Sequence, residues 1–307
     1  MHDRISFGKG FVYSRNLLYV DASLDSWDEK DIYHTIMLRC LDRQWSNWTI
    51  ANRIVAHCAF DAPRGRTVLA LGLDGRVQIG DSSGFHWESV GSGPDGSSAL
   101  RHVTSMRIVG NQIFVVGMQR QVYRKAMDGT SWERADQGIL VPRTSPEVTG
   151  FKSIDGFHEQ DVYAVGFYGE IWHYNGSEWR RCDSPTNLKL ECVRCVQPHT
   201  VYICGASGLL FEGDEDHWAL VENQHTKHTF WSMEDFLGSL YLSTNQGTVF
   251  KLVEQEIVPV NMQLDSEIST NWLHANDGIL LSTGSSDLVV FDGNKWEKLA
   301  SPSPDIG

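Results

Sequence analysis

Residues 161–179 (DVYAVGFYGEIWHYNGSEW), 200–218 (TVYICGASGLLFEGDEDHW), 239–257 (SLYLSTNQGTVFKLVEQEI) and 278–296 (GILLSTGSSDLVVFDGNKW) start at a constant spacing of 39 residues, with no gap. Each copy is an apolar run, a tight polar turn, a second apolar run, another polar turn and a large apolar residue. That order describes a hairpin followed by the start of a third strand. Two looser copies precede them, 67–87 (TVLALGLDGRVQIGDSSGFHW) and 112–132 (QIFVVGMQRQVYRKAMDGTSW), whose second turns read as two residues longer. A degenerate copy opens the chain, with strands at 17–20 and 36–41 and Trp45 or Trp48 as its closing residue. One more strand candidate precedes each copy, at 11–13, 55–60, 103–109, 150–154, 191–196, 230–234 and 270–274.

Seven units of four strands at this period predict an all-β fold, a single seven-bladed β-propeller over 1–307. The blades fall near 10–50, 54–90, 102–135, 149–182, 190–221, 229–260 and 269–299. A strand with one wet face alternates apolar and polar residues, whereas VYAVG, VYICG and ILLST are nearly continuous in apolar residues. Radial stacking covers both faces of each blade and accounts for that loss of alternation. The recurring Trp87, Trp132, Trp179, Trp218 and Trp296 read as packing anchors between blades, with Ile257 in the sixth copy. One blade cannot bury its own faces, so the repeat argues for one domain despite the length of 307 residues.

The formal charge is −13, from 26 basic and 39 acidic residues. Nucleic-acid backbones demand clustered Lys and Arg, so no nucleic-acid partner is expected. The N-terminal MHDRISFGKGF lacks an apolar run of signal-peptide length, and no stretch approaches a membrane span. A cytoplasmic protein without a membrane partner is the expectation, which makes the sequons at Asn47 and Asn175 accidental. The 6 cysteines do not form a disulfide scaffold. Cys192 and Cys195 make a C-x-x-C, but a three-residue offset on a strand sends them to opposite faces, and Cys192 should instead oppose Cys204. No ligand set has the number or spacing for zinc or calcium, so no metal and no cofactor are expected.

The acidity is concentrated. Asp21-Ala-Ser-Leu-Asp25-Ser-Trp27-Asp28-Glu29-Lys-Asp31 reads as an insertion of roughly fifteen residues between the middle strands of the first blade, with Tyr33 beside it. Aromatic anchors amid charge resemble a protein-binding hot spot. The second acidic run, Glu212 to Asp216, sits on an ordinary turn and reads as solvated surface. In a four-stranded antiparallel blade, the link between strands two and three emerges at the same end as the link to the next blade. The long links at 91–101, 135–149 and 221–229 therefore share a face with the acidic insertion. On that face Ile139, Leu140 and Val141 read as exposed aliphatics beside Arg143. Loops on a rigid scaffold carry binding. The candidate partner site is thus Asp21, Asp25, Trp27, Asp28, Glu29, Asp31, Tyr33, Ile139, Leu140, Val141 and Arg143.

The architecture and the turns 128–132, 175–179 and 292–296, each Asp or Asn, Gly, two residues and Trp, resemble WD40-like and Asp-box-like β-propellers. The resemblance spans nearly the whole chain. It departs from the first group in that Trp-Asp occurs only at Trp27-Asp28, and from the sialidases in an incomplete box and no matching arginine triad, so sialidase activity is not carried over. Streptogramin-lyase-type propellers share the shape, but no histidine and metal-binding acid pair can be assigned by motif.

No G-x-S-x-G, P-loop or H-E-x-x-H is present, and of 12 histidines only His225 and His228 lie close together. No catalytic residue is assigned, and a non-enzymatic binding protein is expected. A compact, acidic propeller elaborated at one face suits an inhibitor or immunity protein that neutralises a toxin or effector, its partner carrying a basic surface. The alternatives are a scaffold subunit, or a carbohydrate-binding or lyase-type propeller.

Overall fold

The computed structural model describes residues 4–63, 65–91 and 102–302, without the side chain of Asp28. Seven four-stranded antiparallel sheets, each built from four consecutive strands, make the chain a seven-bladed β-propeller. It divides into two compact units, Met1–Ile54 with Glu222–Gly307, and Val55–Val221. Blades 1, 6 and 7 (5–50, 230–259 and 272–298) fall in the first unit, and blades 2 to 5 in the second. Among the described residues no helix is long and apolar enough to cross a membrane.

In the second unit, strand Asp161–Gly166 of blade 4 is buried at every position after the first, the signature of a strand covered on both faces. Phe114, Val116 and Val122 of blade 3 pack with Ile154, Val162 and Trp179 of blade 4 in one cluster. Tyr163, Val165 and Ile171 of blade 4 then pack with Val193, Val201 and Phe211 of blade 5. Side chains stitch the inner strands together: Ser153 Oγ accepts the Val193 N–H at 3.2 Å, and Asp155 Oδ2 accepts the Cys195 N–H at 3.1 Å. The first unit repeats the device, Ser232 Oγ accepting the Leu273 N–H at 3.2 Å.

Blades 1 and 7, at the two ends of the chain, meet without exchanging a strand. The Val12 N–H donates to His274 Nδ1 at 3.1 Å, Thr283 Oγ1 donates to Gly8 O at 2.9 Å, and Trp45 Nε1 donates to Ala300 O at 2.9 Å. Val12, Val20 and Leu38 share their core with Leu281 and Leu288. Gly10 is required there, because a Cβ would stand 2.5 Å from the side chains of Leu281 and Thr283.

The registers settle which residue closes six of the blades; in blade 3 the outer strand is only Glu133–Arg134, so Trp132 stands outside the registered pairs and not in the expected equivalent position. Tyr174 faces Trp179, Gly213 faces Trp218, Leu252 faces Ile257 and Phe291 faces Trp296. In blade 1 the same place is held by Trp45, opposite Cys40, and not by Trp48. Blade 2 departs from expectation. Its turn is as tight as the others, Gly80 faces Phe85, and Trp87 lies two residues further along the outer strand opposite Gln78. Accordingly Trp179 and Trp296 are each 7% exposed, whereas Trp87 is 44% exposed with the Arg76 guanidinium 5.3 Å over its ring. The expected packing role of Trp87 is therefore incorrect, since period-two alternation kept it on the same side while its displacement took it off the anchor position. Trp132 and Trp218 are half-buried.

Cys192 does oppose Cys204 across the pair, both fully buried. Burial pushes the Cys204 and Cys195 thiols well above their ordinary range, and the Cys58 and Cys182 thiols to about 12. These groups stay protonated at neutral pH, so they pack as small apolar side chains.

Candidate functional site

The first blade carries the candidate site. Its second strand runs on to Leu24 and its third begins at Thr35, so the connection spans 25–34, shorter than the sequence spacing implies. Asp21 is thus a strand residue. Its carboxylate folds over Gly8, where a Cβ would meet Oδ2, and Oδ1 accepts the Lys9 N–H at 2.9 Å. Asp25 opens a single helical turn, Asp25–Asp28. Its N–H donates to Arg4 O at 3.0 Å, and Ser6 Oγ donates to its Oδ1 at 2.7 Å. These bonds hold two carboxylates against the innermost strand in fixed positions.

Past the helical turn the chain folds back. The Ile32 N–H donates to Trp27 O at 2.9 Å, and the His34 N–H to Ile32 O at 2.9 Å, with Asp31 in the left-handed region at φ 51°. Trp27 is half-buried: it packs on the core shared by blades 1 and 7, with its ring 5.5 Å from that of His34. It therefore supports the connection more than it presents a face. The exposed aromatic is Tyr33, at 57%, beside the exposed Ile32, with Glu29 and Asp31 also in solvent. The side chain of Asp28 lies outside the described residues.

Between the connection and the strand ends lies an open cleft of about 400 Å³. Its walls include Asp21, Trp27, Asp31, Tyr33, His34 and Arg53. Thr35 fixes its floor, donating to Asn52 O at 2.9 Å and accepting the Ile54 N–H at 3.0 Å. Ile32, His34 and Arg53 escape a reading that looks for acids with Trp or Tyr beside them. An aliphatic residue set between Asp31 and Tyr33 was the available signal for the first of them.

The second group of expected contacts fares differently. Ile139 is 6% exposed, in the core of blades 3 and 4, and Val141 is 8% exposed, its N–H bonded to Gln119 O at 2.9 Å. The expectation of three exposed aliphatics is corrected accordingly, because the backbone of this link is tied down and turns two of them inward. Leu140 is half-buried and Arg143 is exposed. Of the 91–101 link, residues 92–101 lie outside the described residues.

The acidic turn of blade 5 has an internal task. Arg180 of blade 4 pairs with Asp216 at 2.6 Å and Glu215 at 3.3 Å, and the Asp183 N–H donates to Asp216 Oδ1 at 2.8 Å. The Asp183 N–H and Arg180 hold the Asp216 carboxyl below its ordinary range. Among the described residues no three His, Cys, Asp or Glu side chains converge as metal ligands. His225 stands 3.9 Å from Glu256 at an exposed edge.

No family model matches the chain. Among solved structures, it resembles an inactive virginiamycin B lyase variant from Staphylococcus aureus crystallised with quinupristin (TM-score 0.71, 10% identity, 94% of each chain). It also resembles the WD40 β-propeller domain of Doa1 (TM-score 0.69, 10% identity, 96% of this chain and 95% of that one). Identities this low speak to the fold alone. A curated protein, the immune protein Tsi7 of Pseudomonas aeruginosa, is 31% identical over 299 residues, covering 94% of this chain and 95% of its own. Identity at that level over nearly the full length of both proteins places the chain in the family of the immune protein Tsi7.

Proposed function

We propose that this chain is a non-enzymatic immunity protein that neutralises a cognate toxin by binding it, and that the loop-bearing end of blade 1 makes the principal contact. The observation that carries the reading is the 31% identity with the immune protein Tsi7 over 94% of the chain. A rigid propeller bearing a pinned acidic connection fits the task of a plug, because the site need not be ordered at the moment of binding. The net charge of −13 and the carboxylates of Asp21, Asp25, Asp28, Glu29 and Asp31 favour a partner with a basic surface. Tyr33 and Ile32 supply the apolar contact, with the exposed Arg143 and the half-buried Leu140 as secondary positions.

Co-expression with the product of the adjacent gene, and with any toxin captured from the native cell, tests the function. Growth should be restored; arrest that persists despite soluble, folded chain would overturn the reading. Kinetics test the site. Neutralising Asp25, Asp28, Glu29 and Asp31 together should slow association by roughly tenfold at low salt and flatten its salt dependence, since exposed charges act mainly through steering. Tyr33→Ala should leave the association rate nearly unchanged and speed dissociation by about tenfold or more, as truncation of an aromatic anchor does. Rates unchanged in both variants would move the contact away from blade 1.

A further inference from the structure

The outer strand of blade 2, Gly84–Ser89, bonds to Arg76–Asp81 on one side and is the edge of its sheet on the other. Its phase follows from the hairpin. Asp81 faces Gly84 across a two-residue turn, and just past the strand the Val90 N–H donates to Gly75 O. Antiparallel pairs alternate between bonded and non-bonded. Gly84, His86 and Glu88 therefore bond inward, while Phe85, Trp87 and Ser89 direct their backbone groups away from Arg76–Asp81. Phe85 and Trp87 also share one face of the sheet, 60% and 44% exposed. Sheet edges are ordinarily blunted by brevity, charge or proline, and the chain does so in other blades. The outer strand of blade 3 is Glu133–Arg134 alone, and that of blade 5 is the short His217–Leu220. Blade 4 places Arg180 and Arg181 there, blade 6 Pro259, and blade 7 Glu297 and Lys298. The outer strand of blade 1 is uncharged, but its Trp45 and Trp48 are half-buried. Gly84–Ser89 uses none of these devices. Its acid, Glu88, is held by Lys125 Nζ at 2.6 Å and Trp132 Nε1 at 2.9 Å, and Arg76 beside Trp87 pairs with Asp74 at 2.7 Å. On a chain of formal charge −13, this edge is a neutral place where two copies can approach.

We infer that a second copy of this chain covers this edge, Gly84–Ser89 of one copy pairing antiparallel with Gly84–Ser89 of the other about a two-fold axis. An axis normal to the sheet keeps each face on its own side, so residues that oppose one another must be of like parity. Centring it on His86 sets Phe85 of each copy opposite Trp87 of the other. The outward backbone groups of those residues then form hydrogen-bonded pairs across the axis. Aromatic cross-strand pairs stabilise such a junction and cover surface that one copy alone leaves in solvent. Phe85-His86-Trp87 is complementary to itself in this register, which is why the occupant is a second copy and not an unrelated strand.

Sedimentation equilibrium of the purified chain tests it. The mass should rise with concentration from 34.6 kDa towards twice that value. A dissociation constant on the order of 10 μM is expected, since an edge-to-edge contact is small. Trp87→Lys restores a charged edge and should hold the mass at that of one chain at every concentration, with an unchanged circular dichroism spectrum. Cysteine scanning reads the register. With glutathione disulfide as oxidant, His86→Cys should give a disulfide-linked dimer, because the axis sets that position against itself, and Ser89→Cys should not. An unaltered chain that keeps the mass of one copy throughout would overturn the inference. So would a dimer that survives Trp87→Lys, or one in which His86→Cys fails to cross-link, since either places the association on another surface. Weaker toxin binding by Trp87→Lys, in a chain that stays single, would give this edge to the toxin instead.

Discussion

Glu170→Ala should destabilise the protein by about 3–5 kcal/mol, because it removes the buried partner of the partly buried Arg120 and leaves it only the longer contact to Glu147 at 3.5 Å. Glu170 is 2% exposed, and its carboxylate accepts four hydrogen bonds from three side chains. Arg120 Nε donates to its Oε2 at 2.8 Å and Nη2 to its Oε1 at 2.5 Å. Thr149 Oγ1 donates to Oε1 at 3.2 Å, and Trp172 Nε1 to Oε2 at 3.3 Å. The guanidinium also lies 5.3 Å over the Trp172 ring, and its hydrogen bonds to Glu170 raise the Arg120 pKa. This network joins blades 3 and 4 inside one compact unit. The worth of such a pair lies in its completeness: replacing both partners together, Arg120→Met with Glu170→Leu, should recover most of the loss. Urea unfolding of the single and double variants measures both. A double variant no more stable than Glu170→Ala would mean that the carboxylate's bonds to Thr149 and Trp172 dominate.

Trp179→Ala should cost a comparable ~3–5 kcal/mol, while Trp87→Ala should cost less than about 1 kcal/mol. The two residues look alike in the repeat and differ in register. Trp179 is 7% exposed, its ring stacks at 6.1 Å on Phe151 and tilts at 5.3 Å to Tyr174, and Nε1 donates to Ala135 O at 2.6 Å. Truncation would open a cavity between two blades and orphan a buried carbonyl. Trp87 is 44% exposed, with the Arg76 guanidinium 5.3 Å over its ring. Equal losses in the two variants would contradict the register assignment. A smaller effect of the opposite sign is expected at Tyr168, 59% exposed at φ 54°, where the equivalent turn of blade 5 places Ser207 at φ 60°. Tyr168→Asn should stabilise the fold by up to about 1 kcal/mol by easing left-handed strain, as read by the shift in thermal midpoint.

The blade count and most strands were legible because the 39-residue step repeats a hairpin whose turns and apolar runs keep a fixed order. The pairing of Cys192 with Cys204 followed from the turn between their strands. Three features were not legible, each for a physical reason. An outer strand continues its period-two pattern past the anchor position, so Trp87 could be aligned in place of Phe85. Hydrophobicity alone does not give side-chain direction in an irregular link, so Ile139 and Val141 read as exposed although backbone bonds turn them into the core. A charge run does not show its partners in sequence, so the turn 212–216 read as solvated surface although Asp216 is engaged with Arg180, whereas Asp31 stands in solvent beside a cleft. Of the candidate site, the acids and Tyr33 were readable from composition. The cleft was not, since it is assembled from 6–8, 21–35 and 53–54, which only the folded blade brings together.

The central claim is neutralisation by binding, and the propeller scaffold also serves enzymes such as virginiamycin B lyase. Stoichiometry separates the two modes. Purified toxin at a fixed concentration well above the expected dissociation constant should be titrated with the chain and its residual activity measured after brief and after prolonged incubation. Neutralisation by binding predicts a linear fall in activity that ends at one equivalent of chain and does not deepen with time. Progressive loss of toxin activity at a small fraction of an equivalent would contradict it and identify the chain as a catalyst that destroys its target.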